Sequence, residues 1–284
     1  MTDSPQPSQT ALMAAAARAA HPLVDGDPLI FNDPLAATLL GDRADELIGY
    51  HRQHGRHLVL AGARAQATCR SRVTEDLVAA AVARGVDQYV ILGAGLDTFA
   101  HRSPLASRVT VFEVDTPATQ SWKRDRLAAA GLPVPASLRY VQADLEHDDP
   151  VKVLGDVGFE PTRPAVVSWL GVTMYLSPEA LDITLARLAS LAAGSELVFD
   201  HMVPAELRDA DGQAYVDLVA PTAAERGEPW RTFLTPDDAA ALLTRHGFHD
   251  FVHRSQPELF ATHGWERPTL HPSTLSRITT ATMS

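Results

Sequence analysis

V-I-L-G-A-G-L-D-T, Val90 to Thr98, followed about twenty residues later by V-F-E-V-D, Val111 to Asp115, decides the fold. An apolar run ending in a glycine turn, then a second ending in an acid, describes two adjacent parallel strands whose carboxyl ends hold a nucleoside. A chain leaving a buried strand must turn sharply and let its backbone approach a ligand, which a Cβ obstructs. Gly93 and Gly95, flanking Ala94, meet that need. Asp115 offers a carboxylate to the two hydroxyls of an unphosphorylated ribose.

The rest of the loop narrows the nucleoside. A dinucleotide fingerprint has a third glycine where Thr98 stands, and Asp97 at the following helix start would repel a pyrophosphate. S-adenosyl-L-methionine carries no phosphate, and its ammonium and sulfonium are compatible with nearby carboxylates. The loop favours adenosylmethionine over NAD. An ordinary strand-to-helix turn with Asp97 as N-cap would use the same glycines, so the later segments carry weight.

Composition sets the outer bounds. The 284 residues suit one α/β domain with extensions. A formal net charge of -11, with no basic run, argues against a nucleic-acid partner. Cys69 is the one cysteine, which excludes an internal disulfide and a thiolate zinc cage and points to a reducing compartment. Ala11 to Ala20 is interrupted by Arg18 and too short to span a bilayer, so the expectation is a soluble cytoplasmic protein without a membrane partner.

Residues 1–9 are polar with Pro5 and Pro7 and read as a disordered lead. Residues 10–284 read as a single domain, beginning with a helical extension over 10–84. Within it, a helix from Thr10 gives way to a loop at His21–Pro28, then helices at Pro34–Leu40, Ala44–His57 and Ala63–Arg84. A cofactor-binding core follows over 85–202. Strands are expected at Tyr89–Leu92, Val109–Val114, Leu138–Gln142, Ala165–Leu170 and Glu196–Phe199, with helices at Pro117–Ala130, Pro150–Val157 and Pro178–Ala192 between them. This alternation predicts a doubly wound, mostly parallel sheet with helices on both faces. Residues 203–232 lack a strand period and read as a lid. The remaining 233–284 complete the sheet, with a helix at Pro236–His246 and strands at His249–His253 and near Arg277–Thr282.

With the glycine loop, V-F-E-V-D, Q-A-D-L (Gln142–Leu145) and S-W-L-G-V-T-M-Y-L (Ser168–Leu176) in this order, the chain resembles the leucine carboxyl methyltransferase family, in its bacterial branch of adenosylmethionine-dependent methyltransferases. The resemblance covers about Arg18 to Asp200, and Q-Y-V-I-L-G-A-G-L-D-T-F-A-H-R is its most specific block. It implies a class I, Rossmann-like methyltransferase fold with a helical N-terminal extension and an inserted cap. By position, Asp115 resembles the ribose acid, and Asp144 with Leu145 the adenine site. A carboxylate there can accept the adenine N6 hydrogen while the next backbone N–H meets N1; a solvated turn is the alternative for Asp144. In R-S-R-V-T-E-D-L-V, Arg70 matches the arginine that holds the methionine carboxylate, with Arg72 as the alternative on another helix face. Arg18 resembles the basic residue that closes over the site, or is a solvated helix residue.

One position departs from the family. Where many relatives have a glutamate facing the methionine ammonium, this chain has Leu170, so backbone carbonyls of Gly93 or of the Leu170 loop would have to replace it. Tyr175 faces the substrate or packs in an apolar turn. His201, after Asp200 at the end of the fifth strand, is the candidate base if the nucleophile is a hydroxyl, or else serves capping or lid packing. His51, His54 and His57 drift around a helix without a carboxylate and read as solvated, not as metal ligands. No metal site is expected, and no G-x-S-x-G suggests a hydrolase.

The function expected is methyl transfer from adenosylmethionine to an oxygen, a carboxylate first, of a small molecule or peptide. Hydroxyl methylation with His201 as base, an NAD-linked oxidoreductase and a non-catalytic nucleoside-binding module remain as alternatives. The oligomeric state and the acceptor are not encoded in any motif.

Overall fold

A computed structural model describes residues 7–284. Four helices precede the sheet: α1 (Gln9–Val24), α2 (Ala36–Leu40), α3 (Ala44–His54) and α4 (Leu58–Ala83). The expected lead at 1–9 therefore lies mostly outside the described residues, and its end is structured. Ser8 caps α1 by accepting from Ala11 N–H, and Pro7 is buried. α1 also runs through His21, where a loop was expected. Pro22 falls in its last turn and so removes only one helical bond, while the buried His21 is held by Asp25.

The alternating pattern then builds β1 (Gln88–Leu92), α5 (Phe99–Arg102), β2 (Thr110–Asp115), α6 (Pro117–Ala129), β3 (Leu138–Gln142), α7 (Pro150–Gly155), β4 (Val166–Trp169), α8 (Pro178–Leu188) and β5 (Glu196–Met202). After them come α9 (Ala210–Glu225), α10 (Pro236–Arg245), β6 (Phe248–Ser255), α11 (Gln256–His263) and β7 (Ser276–Met283). The strands form one seven-stranded sheet in the order β3-β2-β1-β4-β5-β7-β6. β1 to β5 are parallel, and β7 is antiparallel to both β5 and β6. The strand order reverses between β1 and β4, and a parallel sheet opens its crevice at such a reversal, beyond the carboxyl ends of the strands.

Both faces of the sheet are covered. One packs Phe112, Val114, Trp169 and Phe199 against α8 and α10. The other meets α4 and α11 through Ala65, Cys69, Leu259 and Phe260, and α6 docks there with a buried ion pair, Lys123 Nζ donating to Glu113 Oε2 at 2.6 Å. Two helices were not anticipated. α11 carries a full capping box, Ser255 with Glu258, a pattern legible in S-Q-P-E. α9 occupies the segment read as lacking strand period.

A single side chain ties the helical extension together. Arg64 is fully buried. Its Nε and Nη2 donate to Asp25 at 2.8 and 3.1 Å, its Nη1 to His51 Nδ1 at 3.1 Å, and its Nη2 also to the carbonyls of Gly55 and Thr269, each at 2.7 Å. Burial opposes ionisation of Asp25, but hydrogen bonds from His21 and Arg64 outweigh it and hold the carboxyl below its ordinary value. This corrects the reading of the three histidines. His51 is buried, and α3 ends at His54. His57 lies outside that helix and caps α4, its Nδ1 accepting from Val59 N–H. Among the described residues no three of His, Cys, Asp or Glu converge to hold a metal.

Candidate functional site

A cleft of about 560 Å³ opens at the carboxyl ends of β1, β2 and β4. Its floor is the glycine loop. Gly93 has φ +65°, and a Cβ there would meet Val172 Cγ2 at 2.3 Å. The close approach that demands this glycine is thus to the loop after β4. Ala94 N–H donates to Val114 O at 3.0 Å, and Gly95 N–H to Asp115 Oδ2 at 2.5 Å. Asp115 Oδ1 accepts from Thr116 N–H at 2.7 Å. Burial pushes the Asp115 carboxyl up, and these two N–H groups pull it back. Oδ2 retains acceptor capacity for a hydroxyl, and Oδ1 also accepts from the Thr116 hydroxyl at 3.3 Å, a long bond that a ribose hydroxyl can replace.

The remaining predicted residues gather around this floor. Asp144 and Leu145 line the cleft beyond β3. Asp144 is exposed, with Oδ1 accepting from Glu146 N–H at 3.0 Å, while Leu145 N–H has no partner among the described residues. Arg18 is buried, not solvated: Nε donates to Asp33 at 2.9 Å and Nη2 to Leu96 O at 2.6 Å. Asp33 also accepts from the Thr98 hydroxyl at 2.7 Å. Thr98, where a dinucleotide site has glycine, thereby helps anchor the loop. Asp97 lines the cleft and also caps the following turn, accepting from Phe99 N–H at 2.7 Å.

Arg70 reaches the cleft from α4, whereas Arg72 is exposed and pairs with Asp76 one turn along the helix. Arg70 Nη1 donates to the buried Asp200 at 3.1 Å, and Asp200 also accepts from Gly171 N–H at 2.5 Å. The guanidinium lies so close to Gly171 that a Cβ there would meet Nη1 and Nη2 at 2.6 Å. Leu170, beside it, lines the cleft. Because lysine lacks the planar fork, Arg70→Lys is expected to weaken adenosylmethionine binding roughly tenfold. Arg72→Lys is expected to change it less than about twofold, an exposed pair being worth little. Calorimetry of both variants checks the ranking, and the reverse order would place the contact on the other helix face.

Three wall residues were missed in the sequence. Glu75 shares a helix face with Arg70 and Ser71, a spacing that is visible without a structure. Burial pushes its carboxyl up despite its ion pair with Arg102. Tyr89 and Ser168 close the deep end, their hydroxyls 2.9 Å apart. Glu75 and Asp97 bring negative charge to a cleft that lacks the glutamate at position 170.

A second cavity of about 340 Å³ adjoins the first. Thr10, Arg70, Gly171, Tyr175 and Glu228 line both. Tyr175 is half-buried, and its hydroxyl donates to Thr10 Oγ1 at 3.2 Å. Glu228, just beyond α9, accepts from the Ser8 hydroxyl at 2.6 Å and from the Thr10 hydroxyl at 2.5 Å, joining the end of the 203–232 segment to the start of α1.

His201 is not in this site. Side chains alternate along a strand, so with Asp200 turned toward Arg70 and Gly171, His201 faces the opposite layer. There its Nδ1 meets Leu234 O and its Nε2 the Thr279 hydroxyl, both at 3.2 Å. Burial pushes its pKa down to about 3. A buried, doubly engaged imidazole outside both cavities cannot act as the base foreseen for it.

The reversed strand order, the glycine loop and an acid at the end of β2 define a class I, S-adenosyl-L-methionine-dependent methyltransferase. Residues 11–189 match the leucine carboxyl methyltransferase family, and the chain belongs to that family. It is similar to a candidate S-adenosyl-L-methionine-dependent methyltransferase of Bacillus subtilis, 31% identical over 274 residues that cover 89% of this chain and 90% of the relative. A second such relative, from Mycolicibacterium paratuberculosis, is 34% identical over 277 residues, covering 91% and 86%. Among solved structures, a candidate methyltransferase from Thermobifida fusca shares the fold, with TM-score 0.60 at 19% identity over 99% of this chain and 97% of that one. A DUF574 family protein from Streptomyces avermitilis gives TM-score 0.59 at 20% identity, covering 95% and 97%.

Proposed function

We propose that this chain methylates a carboxylate oxygen of a small molecule. The observation that carries the reading is the make-up of the junction between the two cavities. Arg70 brings a guanidinium there, Tyr175 a hydroxyl already committed to Thr10, and Glu228 a carboxylate already engaged by Ser8 and Thr10. Burial pushes the Tyr175 hydroxyl up, away from service as a base near neutrality. Among the described residues the junction therefore carries no histidine, and its one carboxylate is taken up in the contact with the start of α1. A carboxylate is already ionised near neutral pH and needs only orientation, whereas an aliphatic hydroxyl needs its proton removed.

The residues of the cleft suit the cofactor. Asp115 takes the ribose hydroxyls, Asp144 and Leu145 N–H the adenine edge, and Arg70 the methionine carboxylate. Arg18, on the cleft wall, holds the loop through Leu96 O. Glu75, Asp97 and the carbonyl of Gly93 offer negative charge to the ammonium. When bound, the cofactor supplies a methyl group on a sulfonium, a leaving group that needs no acid. Catalysis then rests on holding the acceptor oxygen in line at the junction, which is positioning. Residues 203–232 serve as the lid, closed over the cleft by the contacts of Glu228 with α1. Among the described residues no helix is long and apolar enough to cross a membrane.

The test uses enzyme, adenosylmethionine with a deuterated methyl group, and a cell extract. Mild alkali is expected to release the label as methanol, and His201→Ala is expected to keep most of the rate while it stays folded. An alkali-stable methyl ether, with a large loss in His201→Ala, would replace the ester with base-assisted hydroxyl methylation.

A further inference from the structure

We propose that the second cavity is the acceptor pocket, and that its acceptor is an elongated, apolar monocarboxylic acid bearing an uncharged oxygen at the end remote from the carboxylate. This rests on the methyl-transfer reading above. The cavity meets the cofactor cleft at Arg70, Gly171 and Tyr175, so the reacting carboxylate belongs at that end. From there the wall follows α4 back through Ala67, Gln66, Ala63 and Leu60 to Val59. The eleven helical steps from Arg70 to Val59 span about 16 Å. The pocket is long; Met13, Met174, Met202 and Val219 give its other sides apolar surface, interrupted by Thr222 and Arg226 at the end of α9.

The far end sets the remaining chemistry. His51 is buried on the wall there. Its Nδ1 receives Arg64 Nη1 at 3.1 Å, and an arginine can only donate, so the ring proton is on Nε2. That Nε2 has no partner among the described residues, and burial with the nearby Arg64 pushes the ring pKa down to about 4, leaving it a neutral donor. The Gln66 amide, midway along, has its buried Nε2 unpartnered. Glu228 is the one carboxylate on the wall, and Ser8 and Thr10 already occupy it. A ligand oxygen finds donors in this pocket. Glu228 lies at the junction, so a ligand ammonium at the His51 end finds no counter-charge, and burying one unpaired is costly. A volume of 340 Å³ also lies near the lower end of small-molecule sites, about 300–1,000 Å³. An amine-bearing peptide does not fit these terms.

The experiment titrates decanoic, 10-hydroxydecanoic and 10-aminodecanoic acids by calorimetry into enzyme saturated with S-adenosylhomocysteine. The hydroxy acid is expected to bind about fivefold more tightly than decanoic acid and at least about tenfold more tightly than the amino acid. Ala63→Phe, which fills the channel midway, is expected to cut binding of the hydroxy acid by more than about tenfold, with S-adenosylhomocysteine affinity and melting temperature retained. His51→Leu, read in folded protein, is expected to reduce the preference for the hydroxy acid over decanoic acid. Binding of none of the three acids, tightest binding of the amino acid, or equal binding by the parent and a folded Ala63→Phe variant would overturn the assignment. Failure of S-adenosylhomocysteine itself to bind, read in a titration without acid, would overturn the methyl-transfer reading instead.

Discussion

Arg64→Met is expected to destabilise the protein by about 3–5 kcal/mol, the range for removing one partner of a buried ion pair. Methionine keeps much of the apolar stem and deletes the guanidinium, so the loss is electrostatic more than volumetric. Asp25, at 8% exposure, would lose the guanidinium that offsets its burial and keep its hydrogen bond with His21. The carbonyls of Gly55 and Thr269 would lose their donor too, uncoupling the end of α3 and the C-terminal segment from α4. Chemical denaturation of the variant beside Arg72→Met measures this. Arg72→Met, which removes only an exposed pair with Asp76, should stay within about 0.5 kcal/mol of the parent. A loss below about 1 kcal/mol for Arg64→Met would show that the extension is held by packing alone.

Asp115→Ala has the largest expected effect on binding. Deleting a charged acceptor for two ribose hydroxyls costs roughly 1.5–3 kcal/mol, more than tenfold in affinity. The substitution also frees Gly95 N–H and Thr116 N–H, so the glycine loop loses its tie to β2. Calorimetric titration with adenosylmethionine gives the number. Unchanged affinity in a folded variant removes Asp115 from the site.

The glycine loop and the acid beside it were legible because their constraints are local. A sharp turn after a buried strand selects Gly93 and Gly95, and a short parallel unit places Asp115 beside them. The five parallel strands followed from apolar runs of the right length, though β5 continues to Met202, past the expected Phe199. Pairing direction was beyond reach. The antiparallel placement of β7 between β5 and β6 is set by contacts between distant segments, and no local pattern announces it.

The second cavity was hidden for a different reason. Its wall comes from α1, α3, α4, α9 and the loop after β4, and side chains such as His51 and Gln66 acquire meaning only when those elements meet. The histidines drift around the helix without a carboxylate and so read as solvated, yet Arg64 draws His51 inward. His201 shows a readable rule left unapplied. Period-two alternation allows only one of Asp200 and His201 to face the cleft, and Arg70 with Gly171 N–H claims Asp200.

A crystal structure of the protein with S-adenosylhomocysteine bound tests the central claim most directly. The account predicts ribose hydroxyls on the Asp115 carboxylate, the adenine edge at Leu145 N–H, the homocysteine carboxylate at Arg70, and a sulfur aimed at the junction with the second cavity. A nucleoside bound away from the β1 and β2 ends, or a sulfur turned from that junction, would contradict it.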